Sequence, residues 1–256
     1  MDIIYKLPFP QEVCSKIFMY ACKSPHIGLG VAILKKIIGL PIYNKLIEYE
    51  EDVSNVVKMS NFALSSREVN QLMFDIIHLK SLPNLTAIDL YGTGVTGDIK
   101  DLKTLPNLTE IDLGKTAISG NIAHLNSLLK LTRIYLSETG VTGNIVHLES
   151  LKNLTEIWLR YTGVTGNIAH LESLLNLTWI DLSYTGVSGN IEHLESLLNL
   201  TRINLQNTGV TGNIKHLESL PILKIIALRD TGVSGDEEAF HEYRESAGLE
   251  DCYIHI

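Results

Sequence analysis

Apolar residues recur along most of this chain at one fixed spacing. Leu154, Ile157 and Leu159 are followed by Val164, Ile168, Leu171 and Leu174, and the set returns every 23 residues. Leu85, Leu108, Leu131, Leu154, Leu177, Leu200 and Leu223 mark seven copies in register, the last diverging after Gly235. Within a copy, Leu-x-x-Ile-x-Leu predicts a short strand with alternate side chains turned inward. Thr162 stands at the strand exit, where a hydroxyl can bond exposed backbone groups. The heptad that starts there, Thr-Gly-Val-Thr-Gly-Asn-Ile, predicts a corner, with Gly163 and Gly166 permitting tight turns. Ile168, Leu171 and Leu174 then return inward at a spacing of three, which suits a 3-10 path. One such unit cannot bury its own apolar face, but stacked copies can. The pattern therefore predicts an α/β solenoid with one parallel sheet along one side.

These residues make the chain resemble a leucine-rich repeat array. The family's LxxLxLxxN stands here as Leu154-xx-Ile157-x-Leu159-xx-Thr162, with Thr replacing Asn. The TGxI that follows is similar to the variant of plant receptor repeats, without its Pro. The resemblance covers residues 84–235 and implies a sheet on the concave side of the array.

The flanking segments predict caps that shield the ends from water. Residues 1–52 predict a helical N-terminal cap, with Pro10 in a first turn and further helical runs over Val31 to Ile38 and Pro41 to Glu50. Residues 53–83 predict an enlarged first repeat, with a strand around Val57 and Met59 and a helical run from Ser65 to Leu79. Residues 236–256 predict a helix from Asp236 to Ala247, a stop at Gly248 and a closing strand. The whole predicts one elongated domain. Phe9-Pro10-Gln11-Glu12-Val13, with Lys16, Ile17, Phe18 and Tyr20, also resembles the opening of an F-box. That likeness implies a substrate receptor of a ubiquitin ligase, although the later Trp-Arg region is absent. Read by itself, the segment is an amphipathic capping helix.

Composition narrows the function class. The 256 residues are 45% apolar and 20% charged, as in ordinary folded proteins. A net charge of −8 argues against a surface built for nucleic acid or anionic membrane. Cys14, Cys22 and Cys252 lack metal-ligand spacing and predict inert thiols in a reduced compartment. No secretory signal is visible, and Lys35 and Lys36 break the most apolar stretch, so no membrane insertion is expected. An intracellular, cytoplasmic protein is the expectation.

Four features bear on chemistry. The glycine-rich heptad lacks the Lys-Ser/Thr of a phosphate loop and the GxGxxG of a dinucleotide fold, so it predicts structure. His124, His147, His170, His193 and His216 form a straight column, which cannot converge on a metal as three or four ligands must. Asn-Leu-Thr at Asn84, Asn107, Asn153, Asn176 and Asn199 formally permits glycosylation, but its Leu and Thr belong to the repeat. No nucleophile–base set stands outside the repeat, so neither catalysis nor a cofactor is expected.

The fourth feature is the strand positions that the repeat leaves free. Residues beside the inward Ile and Leu point outward, and copy by copy they vary. Tyr135 and Trp158 fall at one place on neighbouring strands, with Trp179 diagonal to them and Arg133, Glu156, Arg160, Asp181 and Arg202 around them. Tyr161 and Tyr184 lie at strand exits, and Tyr91 lies in an earlier copy. Trp, Tyr and Arg dominate binding hot spots. The expectation is a non-enzymatic protein-interaction module whose protein partner docks on these residues. A structural subunit of a larger assembly is the second expectation.

Overall fold

The computed structural model describes residues 47–49, 56–60 and 72–256, with the single positions Gly39 and Val69. The F-box-like segment, Cys14, Cys22 and the first two helical runs of the N-terminal cap lie outside the described residues.

Each coil follows from its apolar spacing. Leu154, Ile157 and Leu159 are fully buried, and Glu156–Trp158 forms a three-residue strand with only Ile157 turned inward. Ile157 aligns with Ile134 on one side and Ile180 on the other, a 23-residue register that continues along the array. The chain then turns through Tyr161, a non-glycine residue at φ 54°, where a β-branched side chain would be strained. Thr162 fixes that turn by donating its hydroxyl to the Leu159 carbonyl at 2.6 Å. The same bond recurs in every coil from Thr93 to Thr231.

The heptad is not a corner. Gly163–Asn167 is a five-residue strand, and its counterparts make a seven-stranded parallel sheet on a second side of the coil. Among the described residues the expectation of one sheet is corrected to two, of ten and seven strands. The glycines serve close approach between coils instead. Gly166, at φ 118°, lies over Asn144 of the preceding coil, and a Cβ there would overlap the Asn144 Oδ1 atom. A Cβ on Gly163 would come within 2.8 Å of the Thr142 methyl. Strand pairing is correspondingly shifted, with Gly163 opposite Thr142, 21 residues back.

Asn167 ends the second strand by accepting the Ala169 N–H at 2.9 Å, which caps the 3-10 turn Ile168–Leu171. The sequon asparagines lock coils together as well. Asn153, Asn176 and Asn199 donate their amides to the carbonyls of Leu129, Lys152 and Leu175, each at 2.9 Å. The histidine column pairs with the glutamates of the preceding coil: His170 with Glu149, His193 with Glu172 at 3.2 Å and His216 with Glu195 at 3.1 Å.

Two cap expectations are corrected. Ile47–Tyr49, expected within a helix, is a strand antiparallel to Val56–Ser60. It is the edge strand of the ten-stranded sheet and supplies partners to backbone groups of Val56–Ser60. The helical run expected to reach Leu79 does not extend over residues 72–75. Leu72, Phe74 and Ile76 are buried at a spacing of two, an extended pattern, and the 3-10 turn Ile76–Ser81 follows. Asp75 accepts the Ile77 N–H at 2.9 Å, so this stretch is a degenerate copy of the heptad.

The C-terminal cap agrees with expectation. Asp236 caps the helix Glu237–Ser246, Gly248 stands at φ 69°, and Tyr253–His255 adds in parallel to Ile225–Ala227. Arg244, fully buried, supplies what the sequence did not suggest. Its guanidinium donates to the carbonyls of Glu218, Leu220, Leu223 and Glu250 at 2.6–3.1 Å. It thereby satisfies the last coil, which has no following repeat to do so.

Candidate functional site

On the outward face of the ten-stranded sheet the 23-residue register stacks equivalent positions into columns. The central column runs Asp89, Asp112, Tyr135, Trp158, Asp181, Asn204 and Ala227. Glu156, Trp179 and Arg202 sit beside it in an adjacent column. Tyr135 and Trp158 approach to 4.5 Å between ring centroids, and Trp158 and Trp179 to 4.3 Å, both tilted. The Arg202 guanidinium covers the far face of this wall, 4.3 Å from the Trp179 ring centroid. Such geometry favours the cation through the ring quadrupole.

Polar groups hold the wall from the other side. Arg133 binds Glu110 at 2.8 Å and reaches Glu156 at 3.7 Å. Tyr135 donates its hydroxyl to Glu156 at 2.8 Å. Burial and the Glu156 carboxylate push the Tyr135 hydroxyl well above the usual tyrosine range, so it stays a donor at every physiological pH. The indole N–H of Trp158 is buried and has no acceptor among the described residues.

The structure thus brings Arg133, Tyr135, Glu156, Trp158, Trp179 and Arg202 into one cluster. Arg160, Tyr161 and Tyr184 form a second at the strand exits. There the tyrosines stack at 4.3 Å, and Arg160 lies 4.7 Å from the Tyr161 ring and 5.9 Å from the Tyr184 ring. Asp181 is used internally, accepting the N–H of Ser183 at 3.1 Å and its hydroxyl at 2.6 Å. Tyr91 lies apart from both clusters, with Lys115 5.6 Å from its ring centroid.

The sequence reading did not single out Asp89 and Asp112, which face each other on neighbouring strands. Asp112 is half-buried, and burial pushes its carboxyl up to about 6. The Gly114 N–H opposes that shift and the Asp89 charge adds to it. Two carboxylates in one column were legible as a signal, but their burial was not.

Six consecutive coils of strand, exit turn, strand and 3-10 return, and a seventh that runs into the C-terminal helix, stacked at a 23-residue period, decide the architecture. The chain is a leucine-rich repeat solenoid. Its solved relatives include the Arabidopsis receptor kinase HAESA in complex with the peptide hormone IDA and the co-receptor SERK1. That match is 28% identical with a TM-score of 0.58, and covers 64% of this chain and 28% of the receptor. The solenoid therefore spans less than a third of that receptor's length. A plant ice-binding protein matches over 85% of this chain and 75% of its own, with a TM-score of 0.68 at 17% identity. Internalin C2 of Listeria monocytogenes matches over 84% and 88%, with a TM-score of 0.54 at 22% identity. No family model and no curated protein matches the chain. Among the described residues no helix of the solenoid is long and apolar enough to cross a membrane.

Proposed function

We propose that the solenoid is a non-enzymatic protein-interaction module whose partner docks on the outward face of the ten-stranded sheet. The carrying observation is the contiguous wall of Tyr135, Trp158, Trp179 and Arg202. An aromatic side chain buries about 150–250 Å² on docking, enough for a few such groups to dominate an interface. The solenoid presents them on strands fixed by neighbours on both sides, so docking orders little. The relation to a receptor described in complex with a peptide hormone supports a protein or peptide partner. Affinity purification with wild-type chain and with Trp158→Ala/Trp179→Ala tests this. The double variant is expected to lose the partner while keeping the wild-type circular dichroism spectrum. Retention of every partner by the folded variant would refute the proposal.

A second reading concerns the seven-stranded sheet. Its five strands from Ala117–Asn121 to Gly209–Asn213 carry no charge and expose Ser119, Thr142, Thr165, Ser188 and Thr211. The likeness to an ice-binding protein makes ice adsorption worth testing by thermal hysteresis. Thr165→Lys should reduce any activity found, and its persistence would reject this face.

A further inference from the structure

The charges around the aromatic wall are nearly all matched. Glu110 and Glu156 share Arg133, Glu138 lies 3.8 Å from Lys115, and Asp181 is bonded to Ser183. Arg202 and Arg160 rest on aromatic rings. Asp89 and Asp112 differ. Asp89 accepts the Ser60 hydroxyl at 3.1 Å and the Tyr91 N–H at 3.4 Å, and Asp112 accepts the Gly114 N–H at 3.1 Å. The groups facing Asp112 are Asp89 and Tyr91 from the preceding coil, Glu110 on its own strand, and Arg133 and Tyr135 from the next. Arg133, the cation among these, is bound to two glutamates. Among the described residues Asp112 makes no ion pair, and the strand before Asp89 carries Lys58 opposite Ala87; the two carboxylates, on adjacent strands about 5 Å apart, share a half-buried site.

This site adjoins the wall. Asp112 is directly opposite Tyr135, and Tyr135 is directly opposite Trp158. A bound segment crossing the strands meets carboxylates and then rings within about 10 Å, two strand spacings. Resting on the docking face argued above, we propose that the partner is a cationic–aromatic segment. It places a Lys or Arg side chain against Asp89 and Asp112 and an adjacent apolar or aromatic side chain on Tyr135, Trp158 and Trp179. An acidic segment would meet Asp89, Asp112 and Glu110 together and is disfavoured by charge. The carboxyl of Asp112, raised by burial and by Asp89, adds a pH signature. A cation binds the carboxylate form, so affinity rises with pH through about 6. The gain is about tenfold for each unit by which the partner lowers that pKa.

A phage-displayed library of random linear peptides, panned on the full chain, tests this. Peptides whose binding is lost on Trp158→Ala/Trp179→Ala are expected to carry Lys or Arg within a few residues of an aromatic or aliphatic one. Their binding should weaken by up to about tenfold from about pH 7.5 to about pH 5, and Asp112→Asn should remove that dependence. The variant should fold, because Asn204 occupies the same column and accepts the Gln206 N–H at 3.3 Å. Binders that need the tryptophans but carry no cation, or ignore Asp112→Asn, would overturn the inference and leave the docking face standing. An equal loss on Asp230→Asn, remote in the last coil, would reveal general charge attraction and overturn it too. A library with no tryptophan-dependent binder would refute the docking face itself.

Discussion

The two sheets of one solenoid are built from the same repeat yet treat their outward positions oppositely. On the seven-stranded sheet, Gly-x-Thr/Ser-x-Asn recurs nearly unchanged. On the ten-stranded sheet, outward positions run from Asp112 to Trp158 to Asn204. The difference is steric. The glycine of each second strand accommodates a side chain of the coil before it, Gly163 the Thr142 methyl and Gly166 the Asn144 amide. Every outward group there is thus part of the coil-to-coil contact. In the first strands only Ile111, Ile134, Ile157 and their equivalents fill the core, so their neighbours answer only to one another. A repeat protein can vary its surface from coil to coil only where its stacking contacts do not constrain it.

Substitutions can break that comparison. Gly189→Ala places a methyl onto Asn167 at φ 114°. It should cost about 3 kcal/mol in urea unfolding, combining overlap with left-handed strain. In an Asn167→Ala background the same change should cost less, because the overlapped amide is gone, and a double-mutant cycle reads the difference. Asn167→Ala alone loses the cap on Ala169 and should cost about 1 kcal/mol.

Asp112→Asn should act in the opposite direction. The folded carboxyl titrates at about 6 against a reference value of 3.8, so the native state holds its proton to higher pH than the unfolded chain. Wild-type stability attributable to this group falls as pH rises from about 4 to about 6 and is level above. The shift corresponds to at most about 3 kcal/mol, and solvent screening of a half-buried group reduces that to about 1 kcal/mol. The variant should therefore gain about that much at neutral pH and nothing below about pH 4, as measured by thermal unfolding across pH. Ser137→Ala, on the freer face, should change stability by less than about 0.5 kcal/mol. A larger effect there would show that the ten-stranded face is bound into stacking as well.

The candidate site was partly legible. Tyr135, Trp158, Trp179 and Arg202 could be placed together because the 23-residue period fixes which side chains are neighbours across strands. The bond of Asp181 to Ser183 was not legible, since it depends on the exit turn. Tyr91 was assigned by residue type and lies apart. Asp112 escaped notice because an aspartate in a repeat reads like any other polar residue until its burial beside Asp89 is known.

By itself, the sequence determined the coil: its length, its inward residues and its first strand. Those depend on alternation and spacing within one copy, where a chain has few ways to hide its apolar side chains. Only the tertiary structure decided how the coils meet. The 21-residue offset of the second sheet, the placing of Gly166 over Asn144, the carbonyl cradle of Arg244 and the pairing of Asp89 with Asp112 arise between coils. Each depends on how far one turn is displaced against the next, and that displacement is set by packing across the whole stack rather than by any single repeat.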